Sequence, residues 1–139
     1  MIEVQERSAA PPERVWELLA DAASWSTWTR MSDTSLEREG EPNPDGVGAI
    51  RRFRTGPLTS REEVVTFEPS HLLVYRLLSG LPLDDYEARV ELSADGEGTR
   101  ITWSSRSQAR YPGTAAALRL LLSSVIRDIA TRLARAAER

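Results

Sequence analysis

Thr114-Ala115-Ala116-Ala117-Leu118-Arg119-Leu120-Leu121-Leu122-Ser123-Ser124-Val125-Ile126-Arg127-Asp128-Ile129-Ala130-Thr131-Arg132-Leu133-Ala134-Arg135-Ala136-Ala137 is the longest periodic stretch of this chain. Leu118, Leu121, Leu122, Val125, Ile129 and Leu133 recur at steps of three and four, while Arg119, Arg127, Asp128 and Arg135 fall elsewhere on the wheel. That pattern predicts one long amphipathic helix. At 1.5 Å per residue its length is about 36 Å, enough to cross a whole sheet.

Upstream of Tyr111-Pro112-Gly113 the apolar period drops to two. Tyr86, Ala88, Val90 and Leu92 alternate with Asp85, Glu87, Arg89 and Glu91, which gives a strand with one dry and one wet face. Asp95-Gly96-Glu97-Gly98 closes a hairpin into a strand from Thr99 to about Gln108, with Ile101 and Trp103 on one face. Val47 to Arg54 and Leu58 to Phe67 read as strands joined at Thr55-Gly56-Pro57, and His71 to Leu78 reads as a buried strand after Pro69-Ser70. Alternation begins near Thr34 and Leu36. Before it come a first strand from Ile2 to about Arg7, a short helix from about Pro12 to Asp21, and a turn carrying Trp25 and Trp28. The expected class is α+β: an antiparallel meander whose dry face needs a cover, with the last helix as that cover.

Composition narrows the chemistry. The chain has 139 residues, no cysteine and one histidine, His71. All 18 basic residues are arginine. Thiolate sites, disulfides, a lysine Schiff base and a multi-histidine metal centre are therefore excluded, and no metal or organic cofactor is expected. The formal charge of −3 without a basic block argues against nucleic acid as the partner. No apolar run approaches the roughly 18 to 20 residues that span a bilayer, so no membrane span and a cytoplasmic location are expected. The expected organisation is one domain over residues 1–139, as a monomer or homodimer.

Seven pieces in order punctuate this pattern: Ser8 to Trp16, Trp25 to Trp28, Gly46 to Arg51, Arg61-Glu62 leading into Glu68-Pro69, Leu73-Val74-Tyr75-Arg76, Gly80-Leu81-Pro82 with Asp85-Tyr86, and Gly98 to Trp103. Together they resemble the SRPBCC (START-like, helix-grip) superfamily, and within it the bacterial polyketide cyclase/dehydrase-like group. The resemblance covers essentially the whole chain. It implies a curved antiparallel sheet of about six to seven strands wrapped around the long C-terminal helix, two short helices after strand 1, and a deep apolar cavity between. It leaves the chemistry open, because lipid carriers, hormone receptors, aromatase/cyclases and co-chaperones share such folds.

With Gly56-Pro57 at the hairpin centre, Arg51 faces Glu62, Phe53 faces Ser60 and Ala49 faces Val64. Arg51 and Glu62 then form either a pair inside the cavity, able to orient a ligand's polar group, or an exposed cross-strand ion pair. The expected ligand-binding wall comprises Trp25, Trp28, Met31, Arg51, Phe53, Glu62, Tyr75, Tyr86 and Trp103, with Leu122, Val125 and Ile129 from the helix. Glu62, Arg51 and Tyr75 are the candidate catalytic groups: a carboxyl made basic by burial, a cation and a phenol that donates a proton. Asp84-Asp85 is a weaker acid/base candidate because strand neighbours point to opposite faces. The leading expectation is a module that binds a small hydrophobic molecule, aromatic or polyketide-like ones included. The alternative is a cyclase or dehydratase performing aldol closure or water loss. A third reading has the arginines of the last helix, Arg119 and Arg127, docking a partner.

Overall fold

The computed structural model describes residues 1–139. Seven strands form one antiparallel sheet in the order β1-β7-β6-β5-β4-β3-β2. β1 (Ile2–Ser8) leads into α1 (Pro12–Ala20), a 3₁₀ turn at Ala22–Ser24 and the one-turn α2 (Trp25–Trp28). β2 (Asp33–Arg38), β3 (Ile50–Thr55), β4 (Leu58–Glu68), β5 (Leu72–Ser79), β6 (Leu83–Asp95) and β7 (Gly98–Ala109) follow as a meander. The chain ends in α3 (Ala115–Ala137). This is the covered meander expected from the alternation and the long terminal period, in the helix-grip form that the resemblance implies.

Some boundaries move from their expected places. β3 begins at Ile50, because Asp45 to Gly48 make a turn and Gly48 has φ +88°. His71 stands exposed in the turn before β5, 4.0 Å from Glu68. The strands are long and bent, with register shifts between Arg61 and Glu62, Val64 and Thr66, and Asp84 and Glu87. Such irregularities increase local twist and let a sheet curl around a helix. Gly80 sits where the β5–β6 turn crosses β4, and a Cβ there would collide with the backbone at Thr59 and Ser60.

The two halves of α3 have different surroundings. From Ile126 onward Ile126, Ala130, Leu133, Ala134, Ala136 and Ala137 are buried. Alanines at these positions let the helix lie close to β1, where the Ser8 hydroxyl donates to the Ala134 carbonyl (2.8 Å) and Thr131 to Glu6 (3.1 Å). From Ala115 to Val125 no residue is buried; Leu121 is 63% exposed and Val125 44%. That half reaches the core only through the partly buried Leu118 and Leu122, and a hollow lies beneath it. It is the structural origin of the site described next.

Candidate functional site

Alternation along the strands aims one set of side chains at α3: Phe53 from β3, Ser60 and Glu62 from β4, Tyr75 from β5, Tyr86 from β6 and Trp103 from β7. The sheet is too curved, and the front half of α3 too far away, for these groups to meet the helix. A cavity of about 280 Å³ remains between them, floored by aromatic rings and roofed by Leu118, Leu122, Ile126 and Ile129. Leu58, Leu81, Leu121 and Val125 border it where it opens to solvent. An apolar hollow of about 150 Å³ stays dry and accepts a benzene ring, so this one suits a body of about two fused rings.

Aromatic packing makes one wall rigid. The Trp25 ring stacks on Phe53 with centroids 4.8 Å apart and meets Trp103 edge-on at 5.9 Å. Its indole N–H donates to the Leu19 carbonyl at 3.1 Å, which fixes the ring against the end of α1. Trp103 in turn donates its indole N–H to the Tyr75 hydroxyl oxygen at 3.2 Å. Tyr75 hydrogen-bonds the Tyr86 hydroxyl as donor, which leaves the Tyr86 proton to point into the cavity.

Glu62 is the cavity's single charged residue type, and burial raises its carboxyl from about 4.5 to about 8, against the lowering pull of Arg51. Burial also pushes the Tyr75 and Tyr86 phenols upward, with Glu62 adding to both shifts. At neutral pH these three groups are therefore proton donors facing an apolar space. Mutual geometry of this kind positions a ligand's polar atoms and can also pass a proton.

The register expected from the Gly56-Pro57 turn is present: Arg51 pairs with Glu62 and Phe53 with Ser60, and the Val64 N–H donates to the Ala49 carbonyl. The side-chain chemistry expected of Arg51 is not. Arg51 is 1% exposed, which excludes the surface ion pair, yet its guanidinium turns away from the cavity. It donates to the carbonyls of Leu19 (3.0 Å), Ala20 (2.6 Å) and Asp45 (3.4 Å). Those first two carbonyls are orphans at the C-terminal end of α1, where the helix dipole is also negative, so they attract a cation more strongly than a ligand space does. Arg51, expected as a ligand-orienting or catalytic group, is placed by the structure outside the cavity wall, where it clamps the end of α1.

Trp28, expected in the ligand-binding wall, also lies outside it. Its ring is buried 5.0 Å from Trp25, with its indole N–H donating to the Ser24 hydroxyl at 3.1 Å, but it plugs the core behind Trp25 and does not line the cavity. The cavity wall includes Trp25, Met31, Phe53, Glu62, Tyr75, Tyr86, Trp103, Leu122, Val125 and Ile129. Asp84 lies outside, paired with Arg110 at 3.0 Å, and Asp85 is exposed. Leu58, at the tip of the β3–β4 hairpin, and Leu121 were outside the sequence-derived set for the wall. The signal that finds Leu58 is an apolar residue directly after a Gly-Pro turn, where solvent exposure would otherwise favour a polar one.

A curved seven-stranded sheet closed by one long helix over an aromatic hollow defines a protein of the START-like, helix-grip class. Residues 1–138 match the family model for polyketide cyclase / dehydrase and lipid transport proteins, and the chain belongs to that family. An uncharacterised protein of Mycobacterium tuberculosis is 27% identical over 136 aligned positions, covering 91% of this chain and 78% of that one. Among solved structures, a START superfamily protein from Mycobacterium smegmatis superposes with a TM-score of 0.85 at 12% identity, covering 99% of this chain and 96% of that one. The ZhuI aromatase/cyclase from Streptomyces sp. R1128 gives 0.75 at 20% identity, covering 99% and 93%. At these identities the superpositions show a shared fold. Family and fold suggest hydrophobic-ligand binding or a cyclase-like activity. No helix is long and apolar enough to cross a membrane.

Proposed function

We propose that this protein binds a compact, mostly apolar molecule of about two fused rings between its sheet and α3. The observation that carries this reading is the cavity of about 280 Å³, with mainly apolar walls and three proton-bearing groups, Glu62, Tyr75 and Tyr86, placed inside it. Burying the apolar body supplies the affinity, and the polar groups orient it. Leu122→Trp fills the space from the helix side without touching the polar cluster. Titration with prodan, a neutral solvatochromic naphthyl ketone, is expected to show blue-shifted saturable fluorescence for the unmodified protein and a loss of roughly tenfold or more in affinity for Leu122→Trp. Unchanged affinity in a folded Leu122→Trp variant would place the dye elsewhere and remove this reading.

One observation favours a second reading, an enzyme of the cyclase or dehydratase type. A carboxyl with a pKa near 8 is poised to exchange a proton near neutral pH, and it shares the cavity with two phenols. A poly-ketone chain folded in such a space needs few chemical groups beyond positioning. On a poly-β-ketone thioester, Glu62→Gln and Tyr75→Phe are expected to lower kcat by roughly a hundredfold while KM stays within about threefold. Equal losses of binding and turnover would point back to a carrier.

A further inference from the structure

Glu62 is the only residue of the cavity wall that carries a charge in water; no arginine or histidine lines it. Its carboxyl has no hydrogen-bonding group of the protein acting on it, only burial and the charge of Arg51. Arg51, the cross-strand neighbour on β3, is committed to the Leu19, Ala20 and Asp45 carbonyls and cannot swing in to meet a ligand without abandoning them. The other titratable groups facing Glu62 are the phenols of Tyr75 on β5 and Tyr86 on β6, and the Thr55 and Ser60 hydroxyls share the wall. From α3 the wall receives Leu118, Leu121, Leu122, Val125, Ile126 and Ile129, none of which titrates.

We propose that the cavity selects an uncharged ligand whose carbonyl or other acceptor oxygen meets Glu62, and that it turns carboxylates away. The inference rests on the ligand-binding reading and adds the charge state of what is bound. A ligand carboxylate loses its water on entering and finds no cation within reach to hydrogen-bond, because the Arg51 guanidinium is taken up by backbone carbonyls outside the wall. An ammonium group also loses its water, and it meets a Glu62 carboxyl that keeps its proton at neutral pH, in the repelling field of Arg51. An acceptor oxygen finds a donor in exchange for its water: the Glu62 carboxyl keeps its proton at neutral pH and donates it, and the Tyr86 phenol, which accepts from Tyr75, holds a second proton beside it. The specificity-determining atom is thus the Glu62 carboxyl oxygen.

Three competitors with one bicyclic body test this: 2-acetylnaphthalene, 2-naphthoate and 2-naphthylmethylammonium, each displacing bound prodan at about pH 6. The ketone is expected to compete roughly tenfold better than either ion. Raising the pH to about 9 ionises Glu62 and is expected to weaken the ketone roughly fivefold in the unmodified protein, with no more than about a twofold change in Glu62→Gln, whose amide donates at every pH. Prodan displaced equally by all three, by none, or best by an ion would overturn the charge selection while leaving a ligand-binding cavity in place. If prodan itself fails to bind, the ligand-binding reading falls and takes this inference with it.

Discussion

Replacing Glu62 by glutamine is expected to stabilise the protein by roughly 3 kcal/mol near pH 8 and to change little near pH 4. In the unfolded chain this carboxyl titrates near 4.5, whereas the folded protein holds it to about 8. Between those values the unfolded state has released a proton that the native state retains, so stability falls as pH rises through that window. Two such values set a ceiling of roughly 5 kcal/mol. Solvent reaching the carboxyl through the cavity mouth lowers the figure to the roughly 3 kcal/mol expected. Glutamine has nearly the same shape and does not titrate. Urea midpoints measured from about pH 5 to about pH 8 should therefore fall along a steeper line for the unmodified protein than for Glu62→Gln. Parallel pH profiles would show that the carboxyl is not held protonated in the fold.

Arg51→Met carries the opposite sign and is expected to cost roughly 3 to 4 kcal/mol, lowering Tm by about 10 °C. Methionine fills part of the same volume but donates nothing, leaving the Leu19 interaction to the Trp25 indole and the Ala20 carbonyl without its 2.6 Å partner. It also strips Glu62 of the one cation acting on it. Arg51→Lys is expected to recover less than half of the loss, because one ammonium cannot reproduce the fork that reaches two successive carbonyls. Since the guanidinium faces α1 and not the cavity, prodan affinity of the folded variant should stay within about threefold. A Tm unchanged within about 2 °C would refute the clamp, and a large loss of dye affinity with Tm intact would return Arg51 to the cavity.

The fold was largely legible because it follows from local rules. Period two from Leu83 to Ala109 and period three-to-four in α3 are set by backbone geometry, and both are visible in the order of residues. The Gly56 turn made the β3–β4 register readable, since a two-residue hairpin centre leaves one way to align Arg51 with Glu62. The same alternation put Phe53, Glu62, Tyr75, Tyr86 and Trp103 on one face, and all five line the cavity. Direction is what a strand's pattern encodes.

Destination is not. That Arg51 and Glu62 share a face was readable, but not which face; that Arg51 ends on the carbonyls of Leu19 and Ala20 depends on where α1 comes to rest, 31 to 32 residues earlier in the chain. A spacing of three placed Trp25 and Trp28 on one side of a helical turn, yet only the packing of Trp25 on Phe53 and Trp103 decided which ring faces the hollow and which lies behind it. In α3 the apolar stripe runs the full length of the helix, while burial begins only at Ile126. The residues alone determined a sheet with one dry face, a long helix to cover it and the pairing of Arg51 with Glu62, because those follow from side-chain spacing along regular backbones. The tertiary structure alone decided that the front half of the helix leaves a hollow over the sheet, which face Glu62 takes and which groups are spent elsewhere, because a gap belongs to the curvature of the whole sheet and to no residue's neighbours in sequence.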